Sequence, residues 1–137
     1  MAMCNLTLSR GAISITFSVE ALGDDVCVTV TGGSRPHIGA VALSMARPSL
    51  TGDGSVSAST SVITMLGHKD DVVAKYVSEQ FAKRLNRNAA AVCGIHYDEI
   101  TPSDIKTVLD LASEGTRQIC SMLLGELTGM PVPGEPG

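Results

Sequence analysis

The sequence predicts a single α+β domain: a mainly antiparallel sheet of five to six strands with two helices on one face. Three observations carry this. Apolar and polar residues alternate strictly along 12–20 and again along 26–30, the period of a half-buried strand. From Asp70 the apolar residues recur at helical spacing, and they do so again after Thr101. The resulting order is β-β-β-β-β-α-β-α, with no internal repeat, second domain or long linker.

Each element has its own signal. Residues 5–9 read as a short strand ahead of Arg10-Gly11. Ile13, Ile15, Phe17 and Val19 then face one side, with Ser14, Thr16 and Ser18 on the other. Gly23-Asp24-Asp25 reads as a turn, and Val26, Val28 and Val30 make the second arm of a hairpin. Gly32-Gly33-Ser34-Arg35-Pro36 is a break. The more continuous apolar run 38–45 suits a well-covered strand. Residues 47–54 read as a loop, and 56–65 as a long, half-polar strand. Val73, Tyr76, Val77, Phe81 and Leu85 form one face of the first helix, which Asn86-Arg87-Asn88 stops. Residues 89–95 have the character of a buried strand. Thr101 caps the second helix, Pro102 suits its first position, and Asp104 sits near the positive end of its dipole. Ile105, Leu109, Ala112, Ile119 and Leu123 are its expected buried stripe. The domain is expected to span residues 1–128, with a disordered Pro/Gly-rich tail over 129–137.

Composition narrows the function classes. The chain has 137 residues, 44% hydrophobic and 18% charged, enough for one core without staples. Ten Lys+Arg against fourteen Asp+Glu give a net charge of −4, which argues against a nucleic-acid binder. No apolar run approaches the ~20 residues of a membrane span. The first residues lack the pattern of a signal peptide, so a cytoplasmic protein is expected. Cys4, Cys27, Cys93 and Cys120 are widely spaced and read as free thiols.

The chain has three histidines, His37, His68 and His96, each within two residues of a glycine and each at the end of a predicted strand. If the strands 38–45 and 56–65 form a hairpin, the start of the first lies beside the end of the second. A helical crossover then makes the strands ending at Met65 and near His96 parallel. All three histidines gather at one sheet edge under these rules, with the N-terminus of the first helix. Three neutral imidazoles can hold a divalent metal with a coordination position open. The helix N-terminus suits a phosphate, and Arg35, Arg47 and Lys69 add positive charge. Singly, each feature has a plainer reading: a solvated histidine, a helix-start aspartate, a turn at Arg47-Pro48-Ser49. The histidine spacing matches no zinc signature, and no phosphate-loop or hydrolase motif is present.

Several segments together resemble a known family. They are Thr31-Gly32-Gly33, then 36–42 (Pro-His-Ile-Gly-Ala-Val-Ala), Arg47-Pro48-Ser49, Gly67-His68-Lys69-Asp70-Asp71 and Gly94-Ile95-His96. They are similar to the prenylated-flavin chaperones, the small D subunits associated with UbiD-type hydroxyarylic acid decarboxylases of the gallate kind. The resemblance covers about three-quarters of the chain. It implies a protein that binds prenylated FMN and supplies it to the decarboxylase without being an enzyme itself. It also implies a proteasome-assembly-chaperone-like outline that dimerises. Carried over by position, the implied cofactor site is His37, Gly39, Arg47, His68, Lys69 and His96, with the three histidines as candidate metal ligands.

Two other functions remain open at the level of sequence. One is a small metal-dependent enzyme, in which three histidines activate water and Asp70, Asp71 or Asp98 serves as base. The other is a pure protein-assembly module with no small-molecule site. A homodimer is expected on either account, because a small domain with a long, half-polar strand at 56–65 leaves a face or edge to cover.

Overall fold

The computed structural model describes residues 4–65 and 70–125. The elements run β1 (Cys4–Arg10), β2 (Ile13–Leu22), β3 (Asp25–Gly33), β4 (Ala40–Pro48), β5 (Val56–Thr64), α1 (Asp70–Leu85), β6 (Ala89–His96) and α2 (Pro102–Leu124). The strands form one sheet in the order β1-β2-β3-β6-β4-β5. Its pairings are antiparallel except β3 with β6, which run parallel. The sheet is therefore mixed and mainly antiparallel, with six strands.

Register explains the two faces. Leu6, Phe17, Val30, Cys93 and Ala40 lie in one row across the strands, and Phe17, Val30, Cys93 and Ala40 are fully buried. The neighbouring row is Asn5, Ser18, Thr29, Val92, Val41 and Ile63, on the opposite face. The period of two thus sends every second residue into the core. Both helices cover the core face: α1 packs on β4, β5 and β6, and α2 on β1, β2 and α1. A Cβ at Gly115 of α2 would fall on the Phe17 ring, so the glycine lets that ring lie against the helix. Burying Phe17 is worth roughly 1.5–3 kcal/mol.

Polar groups tie the layers together. Ser44 on β4 is buried and hydrogen-bonds Ser78 of α1 at 2.8 Å and Thr60 of β5 at 2.7 Å. Tyr76 and Ser113 join the two helices at 3.1 Å. At the start of α2, Asp104 donates its amide to the Thr101 hydroxyl, and its carboxylate accepts the Thr101 amide. Thr101 caps the helix as the sequence predicts, and the Asp104 carboxylate makes that cap reciprocal.

Among the described residues, the opposite face carries no helix. Its β1–β3 half is hydroxyl-rich, with Thr7 and Thr16 hydrogen-bonded to each other at 2.9 Å. Its β4–β5 half is apolar and open: Leu43 is 52% exposed, Met45 55% and Ile63 72%.

Some boundaries depart from the sequence reading. The 38–45 run begins as strand only at Ala40 and continues through Arg47 and Pro48, which the loop signal had claimed. Strands β5 and β6 are parallel as the crossover rule requires, with β4 between them. In α2 the buried stripe is Val108, Leu111, Ala112, Gly115, Thr116, Ile119, Cys120 and Leu123. Leu109, expected in it, is 38% exposed, because the stripe turns toward β2 and leaves Leu109 over α1's first turn. The expected tail at 129–137 lies outside the described residues.

Candidate functional site

One edge of the sheet collects the C-terminal ends of β3, β6 and β5, the start of β4 and the N-terminus of α1. The chain between β3 and β4 crosses this edge. Ser34 donates its amide to the His96 carbonyl at 2.9 Å, and Gly39 donates to the Cys93 carbonyl at 2.8 Å. A Cβ at Gly94 would fall on the His37 carbonyl, so glycine lets the crossing chain lie directly on β6. A Cβ at Gly39 would occupy the place of the Asp70 carboxylate.

Asp70 is the hub of this edge. It opens α1, where a carboxylate favours the positive end of the dipole. Only 5% of it is exposed. Its Oδ1 accepts the Ile95 amide at 3.1 Å, just beyond Cys93, where β4 stops pairing with β6. Its Oδ2 lies 3.4 Å from His37 Nε2. The other nitrogen of that ring, Nδ1, donates to the Arg35 carbonyl at 3.0 Å. His96 pairs through Nε2 with Asp98 at 3.0 Å. The His37 and His96 rings stand edge-on, with centroids 6.4 Å apart and planes at 79°.

Beside these rings lies an apolar cavity of about 310 Å³ between α1, α2 and the end of β6. Val72, Ile95, Ile100, Ile105, Val108 and Leu109 form most of its wall. Tyr97 lines it too, but its hydroxyl is turned to β2, where it accepts the Ser14 amide at 2.7 Å and donates to the Ser14 carbonyl at 2.8 Å. Below the site, burial and then the Asp70 carboxylate push the Cys93 thiol far up, so it stays protonated and unreactive.

The expected site residues divide into three groups. His37, Gly39 and His96 come together at this edge, with the α1 N-terminus. His68 and Lys69 lie outside the described residues. Arg47 is at the other end of β4, roughly 23 Å along the strand from Ala40 by strand rise, where its Nε donates to Ser59 Oγ at 2.8 Å. Within one chain Arg47 does not meet the histidines, because strand β4 extends through it where a turn was expected. Among the described residues no group of three or more His, Cys, Asp or Glu side chains is placed to hold a metal. Both nitrogens of His37 face oxygens, so an ion would have to take Asp70's place to reach that ring. Of the His96 ring, Nε2 faces Asp98.

The sequence reading missed the cavity and undervalued Asp70 and Tyr97. No separate signal marked the cavity in advance: Ile105 and Leu109, which line it, share a helical face with Ala112 and Ile119 and read as core.

The chain has clear likenesses. Residues 9–124 match the family model described as the prenylated flavin chaperone LpdD-like domain. The curated Protein LpdD of Lactiplantibacillus plantarum is 30% identical over 132 residues, covering 88% of this chain and 85% of that protein. Among solved structures, a chain of a novel chaperone complex for yeast 20S proteasome assembly superposes with a TM-score of 0.57 at 11% identity. That match covers 88% of this chain and 95% of the other, and concerns the fold.

Proposed function

Since this chain belongs to the prenylated flavin chaperone LpdD-like family, we propose that it binds prenylated FMN and supplies it, in the cytoplasm, to a UbiD-type decarboxylase. In this reading it is not itself an enzyme. The observation that supports it is the meeting of His37, His96 and the first turn of α1 beside an apolar cavity. A prenylated FMN is amphiphilic: a phosphate at one end and a ring system with an aliphatic addition at the other. The first-turn amides of α1 suit the phosphate. Nδ1 of His96 suits the polar edge of the ligand, with the His37 ring beside it, and Gly39 and Gly94 keep the backbone close beneath them.

His68 and Lys69, which lead into α1, belong to the same proposed ligand set. A divalent ion bridging phosphate and imidazole is compatible with His96 Nδ1 and with the sequence position of His68. An edge site of this kind is open to a docking enzyme, as a handover requires. A homodimer completes the proposal, with the twofold partner seated on the exposed Leu43, Met45 and Ile63 of the helix-free face.

The test is anaerobic gel filtration of the purified protein with reduced prenylated FMN. Comigration of flavin with protein is the expected result, and its loss in a His37→Ala, His96→Ala double variant that still folds. Absence of comigration with the wild-type chain at micromolar concentrations would set the proposal aside.

A further inference from the structure

The cavity next to the histidines is blank toward polar ligands. Four polar groups reach its wall or rim, and three are turned elsewhere. The two Asp70 oxygens face the Ile95 amide and His37. The Tyr97 hydroxyl both donates to and accepts from the Ser14 backbone. His96 Nε2 faces Asp98. Among the side chains of the described residues that line it, only Nδ1 of His96 is left to meet a ligand. The rest of the wall is branched aliphatic side chains from α1, β6, α2 and, at Ile100, the connection between the last two.

A flavin's pyrimidine edge, with its carbonyls and N–H, would lose hydrogen bonds with water in such a cavity and gain none. A compact saturated hydrocarbon group loses nothing there. Its volume, about 310 Å³, is more than a five-carbon unit needs and is at the lower end of small-molecule sites. We infer that this cavity is the specificity subsite for the aliphatic addition of the ligand, so that the chain distinguishes prenylated FMN from plain FMN. The inference rests on the proposal that the histidine edge binds a flavin phosphate, and it adds the group that decides which one.

The same geometry sets the ligand's orientation. The aliphatic group points between α1 and α2, and the polar edge and phosphate lie toward His37, His96 and the first turn of α1. Selection then depends on Val72, Ile105 and Leu109, residues that carry no charge and make no hydrogen bond through their side chains.

The test compares reduced prenylated FMN with reduced FMN, titrated anaerobically against the wild type and two cavity-filling variants. Leu109→Phe fills the cavity from α2, and Val72→Phe from the first turn of α1; both sites are partly exposed, so the core is spared. In the wild type, prenylated FMN should bind at least about tenfold more tightly than FMN, since small apolar differences in a matched pocket give ratios of this order. Either variant, with its thermal unfolding unchanged, should bring prenylated FMN down to the affinity of FMN and leave FMN itself within about twofold. Equal binding of the two flavins by the wild type would overturn the subsite and leave the flavin site standing. So would an equal loss of both in the two variants. Failure of both flavins to bind the wild type would overturn the subsite and the proposal beneath it together.

Discussion

The carboxylate of Asp70 lies 3.4 Å from the imidazole of His37, and its other oxygen holds the Ile95 amide at 3.1 Å. One side chain thus fixes the start of α1, the end of β6 and a histidine of the crossing chain. Removing it should be felt in both stability and site geometry. Asp70→Ala is expected to cost about 2–3 kcal/mol in urea unfolding, because it leaves a part-buried amide unpaired and deletes a charged acceptor. Asp70→Asn keeps an acceptor for Ile95 and presents an amide donor to Nε2 of His37, so it should cost less. Equal stability of wild type and Asp70→Ala would contradict this assignment.

Alkaline pH should destabilise the fold through two thiols. Burial raises Cys120 from the ordinary value of 9.0 to about 12, and raises Cys93 further with help from the Asp70 carboxylate. The unfolded chain then loses protons near pH 9 that the folded chain keeps. Stability from these groups is complete below pH 9 and falls as pH rises from there toward 12, at up to roughly 1.4 kcal/mol per unit per thiol. Urea midpoints at pH 8 and pH 10 measure the slope, and Cys120→Ala should flatten it. A midpoint that does not move would count against both burials.

Arg47 offers a separate check on how the site is built. On a single chain it is far along β4 from the histidines. Arg47→Ala is therefore expected to leave the affinity for prenylated FMN within about twofold. A loss beyond tenfold, measured by the same titration, would mean that the arginine reaches the site from a second chain.

The helix-free face predicts an assembly phenotype. Leu43→Lys or Ile63→Lys places like charges on a patch that a twofold partner would cover twice over. Light scattering should show a dimer for the wild type and a monomer for either variant, with unfolding little changed. A wild-type monomer at working concentration would remove the dimer.

Much of this is legible in the sequence. The alternation in β2 and β3, the cap at Thr101 and the switch of period at Asp70 all act over a few residues, where local physics decides. The meeting of His37 with His96 was legible as well, because handed crossovers leave few arrangements for β4, α1 and β6. What escaped was what depends on side chains arriving from distant elements. Ile105 and Leu109 read as core because periodicity separates apolar from polar, and cannot tell a packed wall from the wall of a cavity. Asp70 read as a helix-start charge, since its burial depends on Gly39 and on the point where β4 leaves β6. Arg47-Pro48 carried a turn signal that an antiparallel pairing with β5 overrode.

The place of β6 in the sheet has a consequence for how the chain reaches its fold. Strands β1 to β3 and the β4–β5 hairpin are built from neighbours in sequence, and β6 alone joins them, pairing Val26 with Ala89 on one side and Ala42 with Ala91 on the other. These are the long loop closures, the slow ones. Until residue 96 has left the ribosome, β3 and β4 both stand as bare sheet edges. A chain halted between β5 and β6 carries two templates for pairing with other chains. The last strand to be made is the one that turns two sticky half-sheets into a protein.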